Sequence, residues 1–168
     1  MEQNYFLTLN GVECKVEKKN DLNYISWSDA WYEVKKLYPN ATYTIYENVD
    51  WNAFWESKFG IDVKVWVTIE WLEHIVRLPV MDWANNSMLF EKQTIQKERN
   101  VYDKTTKKKV WDTANNCWKK ETYTLTIEWA TSFDINKTIM RAFAKAIAMH
   151  WLGLYVFRWE DLPIVEDI

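Results

Sequence analysis

Glycine is almost missing from this sequence, with three in 168 residues where about 7% is usual. Proline also numbers three, and no low-complexity segment or internal repeat is evident along the chain. Cysteine is limited to Cys14 and Cys117, far apart and without metal-ligand spacing. A disulfide framework is thereby excluded, and two reduced thiols in a cytosolic protein are the expectation. The two histidines, His74 and His150, lack partners at metal-motif spacing, so each is expected to be structural or exposed. No apolar run approaches the roughly 20 residues a membrane-spanning helix needs. The stretch from Met1 to Asn10 lacks the basic and apolar regions of a signal peptide. Catalytic signatures are missing too: there is no Gly-x-Ser-x-Gly elbow, no H-E-x-x-H and no phosphate-binding P-loop. The expectation is a protein that is not an enzyme and uses no cofactor or metal.

What is present is a globular composition. Apolar residues make up 48% and charged residues 27%, enough for one domain over residues 1–168 with a real core. The net charge of −3 argues against coating duplex DNA by bulk charge. Its distribution is uneven, however. Lys92, Lys97, Arg99, Lys104, Lys107, Lys108, Lys109, Lys119 and Lys120 face only Glu98, Asp103 and Asp112 within residues 92–120. A basic segment on an acidic body fits a local anion-binding surface, and a solvated loop equally well. Tryptophan, normally the rarest residue, occurs twelve times, as if its frequency and that of glycine had been exchanged.

Local patterns give an α+β expectation, an antiparallel β-meander or hairpin packed with a long helix. Residues 1–24 read as a polar, partly ordered lead-in. Ser26 or Ser28 can cap a helix to about Leu37, with Trp27, Trp31, Val34 and Leu37 on one face. Ala41–Glu47 alternates as a strand, and Ile61–Glu70 alternates with Val63, Val65, Val67 and Ile69 on one side. Glu73–Val80 follows across a two-residue gap at Trp71-Leu72, which predicts a hairpin. Thr94–Tyr102 and Lys120–Glu128 predict a basic hairpin inserted at about 90–128. Phe133–Leu152 is the strongest helix: Asp134 or Thr131 can cap it, Ile135, Ile139, Phe143 and Ile147 recur every four residues, and Gly153 ends it.

Lys137, Arg141 and Lys145 lie four residues apart on that helix, flanked by Asn136, so they share one face. Such a row can follow a phosphate backbone, giving sequence-independent, salt-sensitive affinity. The pattern alone leaves open an ordinary solvated face. Aromatic residues at 17% invite base stacking, while Trp27 and Trp31 fit equally the core of the first helix.

Three blocks in order carry a resemblance. They are Leu22–Tyr43 (LNYISWSDAWYEVKKLYPNATY), then Val63–Asp82 (VKVWVTIEWLEHIVRLPVMD) followed by Asn85-Asn86-Ser87-Met88, then Thr131–Pro163 (TSFDINKTIMRAFAKAIAMHWLGLYVFRWEDLP). Together they resemble the Sak-type phage single-strand annealing proteins. That family pattern is Ser-Trp-x-x-Ala-Trp, Leu-Pro-x-Met-Asp, Phe-Asp-x-Asn-Lys before an Arg-bearing helix, Gly-Leu-Gly-Leu-Tyr and Gly-Glu-Asp-Leu-Pro. The resemblance implies single-stranded DNA binding and ATP-independent annealing of complementary strands in phage homologous recombination. It implies a homo-oligomer, a ring or filament, in the cytoplasm of a bacterial host, with no membrane association. A phage exonuclease or a host single-strand-binding protein stays open as a partner. Trp27, Trp31, Asp82, Phe133, Asp134, Asn136, Lys137, Arg141, Glu160 and Asp161 sit on motif positions. The expected DNA contacts are Lys137, Arg141, Lys145 and Asn136, joined by Lys92, Lys107, Lys108 and Lys109 of the inserted segment. A passive single-strand-binding protein and a structural or interaction protein of the phage are the competing readings.

The departures from that pattern are mostly glycine positions. Trp66 and Trp71 around the hairpin, Trp151 before Leu152-Gly153 and Trp159 before Glu160-Asp161 stand there, and Trp51 is a fifth. One hypothesis accounts for both the counts and the places: UGA codons that the source reads as glycine are here translated as tryptophan. A true aromatic-rich homologue is the alternative. The basic stretch after Met88 is longer than the resemblance leads one to expect.

Overall fold

The computed structural model describes residues 5–19 and 22–156. Its chain forms two compact units, residues 1–80 with 131–168, and residues 81–130.

In the first unit, α1 (Tyr5–Asn10) and the short antiparallel pair β1 (Glu17–Lys19) and β2 (Leu22–Tyr24) precede α2 (Trp27–Leu37). The predicted polar lead-in is therefore regular in places. Its signal was too short to read: six helical residues are not stable alone, and Leu9 is fully buried only in the folded unit. Ser26 caps α2 by accepting from Asp29 N at 3.1 Å, and Ala30 and Val34 form its buried stripe. Leu37, expected on that stripe, is 42% exposed.

The sheet is centred on β5 (Gly60–Ile69). Its residues 61, 63, 65, 67 and 69 are fully buried, while the side chains between them are half-buried. β6 (Leu72–Pro79) pairs along one edge, from Asp62↔Pro79 to Ile69↔Leu72. β3 (Thr42–Ile45) and β4 (Trp55–Ser57) pair with β5 at its two ends, and both pairings are antiparallel. The turn between β5 and β6 is Glu70-Trp71, one residue earlier than predicted, and Glu70 takes φ 56. Alternation fixes which face a residue occupies but not which pair closes the hairpin, because Leu72 fits the buried side opposite Ile69.

The inner face packs on α3 (Ser132–Met149), whose Ile135, Ile139, Ala142, Phe143, Ala146 and Ile147 are buried. Burial of each large side chain contributes roughly 1.5–3 kcal/mol, and the two alanines let helix and sheet approach. Thr131 and Asp134 form a reciprocal capping box at the start of α3: Asp134 N donates to Thr131 Oγ at 3.3 Å and Thr131 N to Asp134 Oδ2 at 3.1 Å. The helix stops three residues before the predicted Leu152, with His150 as C-cap and Trp151 in the left-handed region at φ 77. Trp27 and Trp31 close the other side of this core, their rings 6.1 and 5.2 Å from that of Phe143.

His150 is fully buried. Its Nε2 donates to the Val67 carbonyl at 3.0 Å, and its Nδ1 accepts from the Tyr5 hydroxyl. A carbonyl can only accept, so Nε2 carries a proton, and burial, which disfavours the charged ring, leaves Nδ1 to accept. Burial, opposed by that carbonyl and joined by the nearby His74 ring, holds its pKa down at about 4.

In the second unit, β7 (Gln93–Asn100) and β10 (Lys120–Ile127) form an eight-pair antiparallel hairpin. Between them the chain makes two successive turns, one closed by a Tyr102↔Lys109 bridge and the other by β8 (Trp111–Asp112) with β9 (Cys117–Trp118). The turns repeat with a spacing of nine: Val101, Tyr102, Asp103 and Lys107 correspond to Val110, Trp111, Asp112 and Asn116. Both Lys107 and Asn116 have positive φ, 58 and 49. This repeat was not evident in the sequence, where only valine and aspartate are shared and the rest is matched by conformation.

Candidate nucleic-acid interface

A polyanion site needs cations that are exposed and not already neutralised. On α3, Asn136, Lys137, Arg141 and Lys145 are exposed on the side away from the buried stripe. At 1.5 Å per residue the three cations span about 12 Å. Asp134 is the sole acid in the helix; it binds Lys137 Nζ at 3.1 Å. Hydrogen bonding from Thr131, with the Lys137 interaction, holds its carboxyl below the usual range despite partial burial. Among the described residues Arg141 and Lys145 have no ion-pair partner. Phe133, 73% exposed, lies beside this row with the Lys137 ammonium 5.7 Å from its ring centre. An exposed aromatic at the helix start had no sequence signal beyond its motif position.

The second unit carries the other expected contacts, and it separates them. Lys92 lies next to the β7–β10 end of the hairpin and is bound to Glu128 at 2.7 Å. Lys107, Lys108 and Lys109 lie beyond the opposite end, about 25 Å along an eight-residue strand. Cross-strand pairs neutralise the hairpin itself: Arg99 meets Glu121 at 2.6 Å and Lys120 meets Glu98 at 3.1 Å. The lysines of the first turn meet no acid among the described residues.

Several motif residues prove to be architectural. Asp82 Oδ1 accepts from Ala84 N and Asn86 N at 2.9 and 2.8 Å, and Oδ2 from Asn86 Nδ2 at 2.9 Å. Burial raises its pKa, but these bonds outweigh it and leave the carboxyl below its usual range. Asp82 and Asn86 thus build one turn, with Asn85 at φ 60. Trp31 is half-buried against Tyr43 and Phe143, whereas Trp27 touches Phe143 from the rim and stays 40% exposed, so the expectation of Trp27 in the core is corrected. Glu160, Asp161 and Trp159 lie outside the described residues.

One open groove of about 420 Å³ lies on the outer face of the first sheet, lined by Thr44 to Val49, Trp51 and Trp66. Tyr46 stands edge-on to Trp66 at 4.9 Å, with Lys64 Nζ 4.2 Å from its centre. Glu47 in the lining and Asp62 on the same face, itself bound to Arg77 at 2.6 Å, make it a poor cradle for a polyanion.

No curated protein and no solved structure matches the chain. The family model of the Sak single-strand annealing protein matches residues 4–167, spanning the basic segment as well as the three motif blocks. The chain therefore belongs to the Sak single-strand annealing protein family.

Proposed function

We propose that this protein binds single-stranded DNA and anneals complementary strands without ATP, in phage homologous recombination. The observation that carries the reading is the family match over residues 4–167. The exposed row on α3 supports it: Arg141 and Lys145 form the phosphate track, joined by Lys137, which Asp134 partly holds, with Asn136 as a neutral hydrogen-bonding flank. Lys107, Lys108 and Lys109 supply a further basic surface, and Lys92 a weaker one because Glu128 holds it. ATP independence is supported by a sequence without a P-loop. The working form is a homo-oligomer, since aligning two strands over a useful length needs many adjacent sites. Mixing two complementary oligonucleotides, one carrying a donor and one an acceptor dye, tests the reading without nucleotide present. Faster pairing with the protein is the expected result. Binding that slows pairing makes it a passive single-strand-binding protein, and no binding leaves a structural or interaction role.

A further inference from the structure

At the end of the β7–β10 hairpin three backbone hydrogen bonds join the strands to the two turns. Val110 N donates to Val101 O at 2.9 Å, Lys119 N to Val110 O at 2.8 Å, and Val101 N to Lys119 O at 2.9 Å. These three bonds close a ring at residues spaced by nine, from which the hairpin and the two turns radiate. Each turn is then locked from within. Asp103 Oδ1 accepts from Thr105 N and Thr106 N at 3.0 and 2.7 Å, and Asp112 Oδ1 from Ala114 N and Asn115 N at 3.0 and 3.3 Å. A junction satisfied by its own peptide groups needs no apolar core. Apart from the two aspartates and the Trp111–Trp118 ring contact, its side chains are not needed to hold it.

Those side chains are of two kinds. Lys104, Lys107, Lys108, Lys109 and Lys119 outnumber Asp103 and Asp112; Lys119 lies near enough to Asp112 to help lower its pKa, and the other four meet no acid among the described residues. Beside them Tyr102, Trp111 and Trp118 are 53%, 46% and 47% exposed, with the two tryptophan rings edge-on at 5.1 Å. Large rings left half in water beside uncompensated ammonium groups match a ligand that offers both phosphates and open π-faces. Duplex DNA offers only the first, because its bases are stacked inside; an acidic protein surface likewise engages only the lysines.

Resting on the annealing reading, we infer that this three-way junction is a separate single-strand contact, in which Tyr102, Trp111 and Trp118 stack on bases while the five lysines hold phosphates. Two variants of the full chain test it against an oligothymidylate and a duplex of equal length, over a range of salt. Tyr102→Leu with Trp111→Leu should weaken single-strand binding by about thirtyfold or more, as expected for two lost base stacks, and leave duplex binding unchanged. Lys107→Ala, Lys108→Ala and Lys109→Ala together should weaken both and reduce the single-strand salt slope by about 2. Photocross-linking of the unmodified protein to a bromouracil-containing single strand should label a peptide within residues 101–119, which keeps the test valid if a variant misfolds. Unchanged affinities, or cross-links confined to other peptides, would overturn the junction while leaving the annealing reading standing. So would variants that keep single-strand affinity but shift the mass of the assembly, which marks a protein contact. Equal losses on single strand and duplex from the aromatic variant refute stacking. If the unmodified protein binds no single strand, the annealing reading itself falls, and the inference with it.

Discussion

Trp51 and Trp151 sit at φ 62 and 77, a left-handed backbone that costs a residue with a Cβ about 1–2 kcal/mol. Trp151 follows the C-cap of α3 and donates its N–H to Ala148 O at 2.8 Å, the place where helices most often use glycine. Gly153 meets a similar demand two residues on: its φ is 67, and a Cβ there would come within 2.5 Å of Ile25 Cδ1. The other suspected positions differ. Trp71 is 87% exposed but not at positive φ, since Glu70 takes that conformation, so the turn places no backbone demand for glycine on Trp71. Trp66 lies within β5 against Tyr46 and gains nothing from losing its ring. Trp51→Gly should raise stability by about 1 kcal/mol, Trp71→Gly should leave the melting midpoint nearly unchanged, and Trp66→Gly should lower it. A fall for Trp51→Gly would count against a native glycine there, and mass spectrometry of peptides from the natural source reads each position directly. His150 supplies a second residue-scale test. Its folded pKa of about 4 lies below the unfolded value of about 6.5, so the unfolded chain binds the extra proton between them. Stability should then be full above pH 6.5 and decline as pH falls toward 4. Asp82 and Asp134, both depressed, add their own loss only at lower pH. Melting midpoints at pH 7 and pH 5 should differ clearly in the parent protein and much less in His150→Gln, although that variant is less stable overall.

At the scale of elements, α3 carries a buried stripe on one face and the proposed phosphate track on the other. Its capping box predicts that Thr131→Ala lowers unfolding free energy by about 1 kcal/mol, measured by denaturant titration. Its exposed row predicts a different signature. Lys137→Ala, Arg141→Ala and Lys145→Ala together should leave the melting midpoint almost unaltered yet weaken single-strand binding at every sequence alike. The salt slope should drop by about 2, from three lost phosphate contacts. Preserved affinity and slope with an intact fold would remove the row from the interface. The strands of the second unit pair their charges across the hairpin, whereas its turns do not, so the basic character read over residues 92–120 is concentrated where the backbone curls.

For the whole molecule, annealing by a homo-oligomer predicts native masses at integral multiples of the protomer, persisting when single-stranded DNA is bound. A monomer at every concentration would refute the assembly. The sequence alone determined the period of β5, the places where α2 and α3 begin, the buried stripe of α3, the cationic row, and, through three spaced motif blocks, the family. These are legible because helix and strand periods, capping hydroxyls and like-charge rows are written within a few neighbouring residues. Only the tertiary structure decided that Leu9 and His150 are buried, that Trp27 and Trp31 close the core on Phe143, and that Glu70, not Trp71, takes the left-handed turn position. It also decided that Val101, Val110 and Lys119 close a ring. Each of these depends on groups brought together from distant parts of the chain or on backbone bonds indifferent to side-chain type, and neither leaves a local pattern to read.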